Sequence, residues 1–103
     1  MAKYVYPAIF HPEKEGGFSI FFPDLSGCYT QGEDLSNGMY MANDVLSFTL
    51  YSMEDDGEPI PAPTPLNEIK TEGSDFAADI TADTFEYHKK FSHHLAKKLF
   101  QYV

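Results

Sequence analysis

A chain of 103 residues builds one domain around a single core, and 43% hydrophobic content with 16% aromatic residues excludes global disorder. A net charge of −9 without one arginine argues against a general grip on phosphate backbones and for basic partners. No apolar run reaches the length of a bilayer-spanning helix and Met1-Ala2-Lys3-Tyr4 does not open a signal peptide, so the expected location is the cytoplasm.

Residues 3–11 alternate among β-formers, with Tyr4, Tyr6, Ala8 and Phe10 on one side and Val5 and Ile9 on the other. Pro7 cannot donate to a ladder, so its nitrogen should face no partner strand. His11-Pro12-Glu13-Lys14-Glu15-Gly16-Gly17 is a polar hairpin connection, and residues 18–22 form the second strand. Pro23-Asp24-Leu25-Ser26-Gly27 makes a tight corner before a short third strand over residues 28–31. Three strands joined this closely form an antiparallel meander.

Asp34 is the expected N-cap of a long helix, with Glu33 beside it at the positive end of the dipole. Leu35, Met39, Ala42, Leu46, Leu50 and Met53 recur at steps of three and four, a stripe that should lie on the sheet. Gly38 weakens the helix by about 1 kcal/mol relative to alanine, either for close packing or incidentally. Tyr40, Phe48 and Tyr51 lie partly off the stripe and call for a second cover: self-association, a partner, or the C-terminal segment. Gly57 suits the end of the helix.

Prolines alternate from Pro59 to Pro65, so residues 57–66 form an extended strap. Residues 75–81 read as a fourth strand returning to the sheet. Thr81-Ala82-Asp83-Thr84 starts a final helix, marked by Tyr87, Phe91, Leu95 and Leu99 at four-residue steps. The fold class is α+β, in the order β-β-β-α-β. Residues 1–81 form the domain, and residues 82–103 a C-terminal basic helical segment.

Charge is unevenly placed. All sixteen Asp and Glu lie at or before Glu86, while Lys89, Lys90, Lys97 and Lys98 follow it. No motif carries chemistry: there is no phosphate-cradling glycine loop and no nucleophile elbow. His88, His93 and His94 lack the companions and spacing of a metal site, and the acidic run 54–58 does not match a calcium loop. Cys28 cannot form an intrachain disulfide and reads as a small apolar strand residue. No catalytic residue, metal or cofactor is expected.

At Gly17-Phe18-Ser19-Ile20-Phe21-Phe22-Pro23-Asp24-Leu25-Ser26-Gly27-Cys28-Tyr29-Thr30-Gln31-Gly32 the chain resembles the HicB family of antitoxins. The resemblance extends to Tyr6-Pro7-Ala8-Ile9-Phe10 and to Asp55-Gly57-Glu58-Pro59-Ile60-Pro61, and continues weakly over residues 83–91. Ser26 stands where the family often has proline. The resemblance implies a degenerate ribonuclease-H-like fold. It also implies a non-catalytic antitoxin that neutralises a small basic, mRNA-cleaving, HicA-like toxin. Separately, the second apolar face of the helix, with Tyr40, Phe48 and Tyr51, predicts a dimer or higher oligomer. Many relatives add a C-terminal DNA-binding module, which is expected to be missing here. An alternative is a stand-alone nucleic-acid-binding or transcription-regulating protein using Lys89, Lys90, Lys97 and Lys98. For the antitoxin reading, the expected partner contacts are Asp24, Glu33 and Asp34, and the expected self-association surface is Tyr40, Phe48 and Tyr51.

Overall fold

The structure, a computed structural model, describes residues 2–89. Three strands form the meander: β1 (Lys3–Pro12), β2 (Phe18–Phe21) and β3 (Tyr29–Gly32). Helix α1 (Leu35–Asp56) follows, then a strap with a short 3-10 turn (Leu66–Glu68). β4 (Phe76–Asp83) pairs antiparallel with β1, so the sheet has the order β3-β2-β1-β4. β4 runs two residues beyond the expected end of the strand. Asp83 then accepts the N–H groups of Phe85 and Glu86 and starts a helical turn over residues 84–89. The rest of the expected C-terminal helix lies outside the described residues.

The alternation of β1 decides what α1 covers. Tyr6 lies opposite Ile80, Ala8 opposite Ala78, and Phe10 opposite both Phe76 and Ile20. This face meets Ala42, Leu46 and Leu50 of α1, all fully buried, and forms the core. Phe10 stacks on Phe76 at 5.0 Å and meets Phe18 edge-on at 6.0 Å. Each large apolar side chain buried here contributes about 1.5–3 kcal/mol.

Pro7 sits in a central strand without breaking a ladder. Phe22 donates its N–H to the Cys28 carbonyl, so the even-numbered residues of β2 face β3 and the odd-numbered ones face β1. Ile9, opposite Phe21, therefore bonds toward β2, and so does the nitrogen of Pro7 two residues earlier. The β1–β2 ladder has already ended at Ile9, and no bond is lost.

The first half of α1 departs from the expected stripe. Leu35 and Met39 are 50% and 40% exposed, while Gly38 is buried. Here helix and sheet meet through their backbones: a Cβ built on Gly32 would lie 2.4 Å from the Gly38 Cα. Gly38 itself faces Ile20 and Phe10, so it serves close packing. The caps are as expected. Asp34 Oδ1 accepts the Asn37 N–H at 2.7 Å, and Gly57 (φ 68) turns its N–H back to the Glu54 carbonyl. At the far end of α1, the Glu54 carboxylate accepts the hydroxyls of Tyr4 (2.6 Å) and Thr84 (3.1 Å). This ties β1, α1 and the end of β4 together. The bond to Glu54, aided by burial, pushes the Tyr4 phenol up to about 12.

The strap is fastened at both ends. Tyr6 donates its hydroxyl to the Pro61 carbonyl, and Asp24 accepts the Thr64 N–H (2.9 Å) and hydroxyl (2.6 Å). At the other end His11 Nδ1 meets Asp75 Oδ1 at 2.6 Å. Pro7 and Ile9 face away from α1 yet are buried. Since the 3-10 turn packs against β4, the strap is the described segment available to cover them.

The Asp75 hydrogen bond, more than its charge, raises the His11 imidazole above its ordinary value. The stabilisation is therefore fully present below the ordinary histidine value and is lost as pH rises through the folded one. NMR titration of the His11 ring should give a midpoint above that of an unfolded chain, returning to it in Asp75→Asn. Equal midpoints in the two proteins would show that the strap is not fastened here.

Candidate partner-binding surface

Of the expected contact residues, Asp24 lies in the corner after β2, whereas Glu33 and Asp34 lie between β3 and α1. Because Phe21 pairs with Tyr29 and Phe18 with Gly32, the two groups stand at opposite ends of the β2–β3 pair. They therefore frame β3 and do not form one cluster. Asp24 is partly buried by its bonds to Thr64, and Asp34 is engaged as the helix cap. The Glu33 side chain is exposed, and its backbone N–H donates to Asn37 Oδ1 at 2.9 Å.

Two exposed aromatic side chains stand between those carboxylates. Phe21 and Tyr29 are opposite each other, 43% and 70% exposed, on the sheet face turned away from α1. Ile9 continues their row into the sheet. Composition does not single them out, but period-two alternation does: with Ile20 and Phe22 in the core, Phe21 must point the other way.

The outer side of α1 is divided. Tyr51 is half-buried beneath the chain's own residues 84–89: its ring lies 5.7 Å from that of Tyr87 and 5.5 Å from that of His88, with the hydroxyl 2.9 Å from His88 Nδ1. Phe48 touches Tyr87 but stays 52% exposed, and Tyr40 is 64% exposed. A groove of about 320 Å³ beside Phe48 is lined by Asp24, Met53, Asp56, Glu58 and Pro61. Its charge, like that of the domain, is negative.

Lys89 is the described member of the expected basic set. It pairs with Glu86 at 3.6 Å and lies over the Phe85 ring at 4.5 Å. Lys90, Lys97 and Lys98, like His93 and His94, lie outside the described residues. Among the described residues no group of three His, Cys, Asp or Glu side chains could hold a metal ion, and no helix is long and apolar enough to cross a membrane. Cys28 is buried, and the Thr49 hydroxyl reaches its sulfur at 3.3 Å. Burial pushes its thiol up, which suits packing and not nucleophilic chemistry.

Residues 6–89 match the family model described as HicB_like antitoxin of bacterial toxin-antitoxin system. The chain is 39% identical over 62 residues to Antitoxin HicB of Escherichia coli strain K12, a match covering 60% of this chain and 45% of that protein. The match thus spans less than half the length of that curated relative. The fold resembles that in a toxin-antitoxin complex from Streptococcus pneumoniae (TM-score 0.74, 21% identity, 82% of this chain and 72% of that chain). It also resembles a chain of a HicA3 and HicB3 toxin-antitoxin complex (TM-score 0.64, 20% identity, 78% of this chain and 99% of that chain).

Proposed function

Because this chain belongs to the HicB-like antitoxin family of bacterial toxin–antitoxin systems, we propose that it binds and neutralises a small basic protein toxin and performs no chemistry itself. The observation that carries this reading is the charge of the body: sixteen carboxylates lie at or before Glu86 against three lysines, with no arginine. Such a surface repels RNA and attracts a protein built to bind RNA. By occupying the toxin's cationic face, it denies that face to mRNA. The same reading places the protein in the cytoplasm, where mRNA is. The HicA3 and HicB3 complex, in which a chain of this fold appears, supports a HicA-like partner.

Growth tests the proposal. A short basic protein encoded beside this chain should arrest growth when expressed alone, and co-expression of this chain should restore growth and co-purify with it. Failure of both in cells making both proteins would refute the function. The charge mechanism has its own measure. Affinity should fall by about tenfold or more between 50 and 200 mM salt, as expected when exposed charges are screened. Glu33→Lys, at a side chain with no described structural bond, should weaken binding by about three- to tenfold, mainly through a slower on-rate, in a domain that stays folded and loses only about 1 kcal/mol at the start of α1. An affinity indifferent to both would remove the electrostatic account.

We also propose that Tyr40 and Phe48, with Tyr51 beneath its intrachain cover, belong to a self-association surface. Their exposure on α1 supports it.

A further inference from the structure

β3 is an edge strand, and its ladder parity identifies the backbone groups it leaves free. The Phe22 to Cys28 bond sets Cys28, Thr30 and Gly32 to face β2, so the N–H and C=O groups of Tyr29 and Gln31 point out of the sheet. Among the described residues no strand pairs with that side. Tyr29-Thr30-Gln31-Gly32 contains no charged residue, no proline and no lysine, the usual guards of an edge. The opposite edge is guarded. Asp79 and Asp83 lie on β4, and the outward carbonyl of Thr81 is taken by the Asn43 amide of α1.

The surroundings of β3 define what fits it. Asp24 stands at one end and Glu33 with Asp34 at the other, while Phe21 and Tyr29 lay exposed aromatic surface along the face between them. A second copy of this chain fits poorly. Antiparallel pairing of β3 with itself would bring the Asp24 end of one chain against the Glu33–Asp34 end of the other, negative against negative. A strand with basic residues at its ends and an apolar residue facing Tyr29 satisfies both features.

We infer that the partner docks by strand addition: an extended basic segment of the toxin pairs with the outer edge of β3, its backbone bonding Tyr29 and Gln31. This rests on the antitoxin reading and specifies where and how the partner is held. Main-chain bonds give the grip, the carboxylates at each end hold the basic ends of the segment and set its position along the edge, and the Phe21–Tyr29 row receives alternate side chains.

The test uses Gln31→Pro, which removes one outward donor at a position where proline does not break the β2–β3 ladder, with Gln31→Ala as the control. Affinity is measured for the basic protein that co-purifies with the wild-type chain. Gln31→Pro should weaken binding at least tenfold with an unchanged melting temperature, and Gln31→Ala less than threefold. Amide exchange at Tyr29 and Gln31 in the wild-type complex provides a second readout independent of any variant, and both should slow at least tenfold on binding. If the complex forms but these amides exchange as in the free chain, or Gln31→Pro binds as tightly as wild type, strand addition is wrong while the antitoxin reading stands. If the amides are protected in the free chain at high concentration, and Gln31→Pro abolishes a dimer, the edge belongs to a second copy and the inference falls. If no complex forms, the function itself is refuted and the docking mode with it.

Discussion

Gly32→Ala should destabilise the domain by about 3 kcal/mol, the upper part of the range for overpacking, and lower its melting temperature by roughly 15 °C. The added methyl would sit 2.4 Å from the Gly38 Cα and 2.7 Å from its nitrogen. Both are backbone atoms in the first turns of α1, so no side chain can rotate away. Relief requires the helix start to lift from the sheet, exposing Ile20 and Phe10, which lie beneath Gly38. Gly57→Ala is the informative control. It also replaces a glycine, at φ 68, but meets nothing within 4 Å, so only the left-handed backbone penalty of about 1–2 kcal/mol applies. Urea unfolding of both variants checks the ordering. A Gly32→Ala protein no less stable than Gly57→Ala would mean that α1 does not rest on β3 through its backbone.

What could be read from the residues was local or periodic. Asp34 and Gly57 act within a few positions of themselves, so their capping roles follow from residue type and spacing alone. The strands follow from alternation, and the core half of α1 from its three- and four-residue steps. The family signature at residues 17–32 is mainly architectural: Phe22, Leu25 and Cys28 are buried, and their backbones close the corner through Phe22 to Cys28, Leu25 to Phe22 and Cys28 to Leu25 bonds.

Contacts made across the chain were not legible. His11 and Asp75 are 64 positions apart and Asp24 and Thr64 are 40, and neither pair has a spacing rule. Gly38 shows the same limit at shorter range. Its helix-weakening effect is visible in the sequence, but whether a backbone lies against it depends on how the helix returns over β3. Periodicity places Leu35 and Met39 on the sheet because it assumes a constant distance between helix and sheet, and the Gly32–Gly38 contact breaks that assumption. The candidate interface was readable in part. Its carboxylates were visible as charges, but their position at the two ends of an unpaired strand required the register.

Asp24 joins these two kinds of information, and its replacement should separate them. Asp24→Ala removes the acceptor for both the Thr64 N–H and the Thr64 hydroxyl, and should cost about 2–3 kcal/mol, since bonds to a charged group contribute roughly 1.5–3 kcal/mol each and part of this site sees water. Thr64→Val keeps the N–H and loses the hydroxyl bond, and should cost about 1 kcal/mol. Combining them should add little to Asp24→Ala alone, because the hydroxyl has then already lost its acceptor; additive losses would mean that the two residues stabilise the domain independently. Asp24→Asn distinguishes fastening from recognition. Its one remaining carbonyl oxygen can accept from the backbone N–H, while its amide nitrogen cannot accept from the hydroxyl. Stability should therefore fall by only about 1 kcal/mol, although the charge is gone entirely. If Asp24 contributes charge to a basic partner, Asp24→Asn should lose affinity about as much as Asp24→Ala while keeping more of its stability. If it only fastens the strap, affinity should follow stability across the two variants.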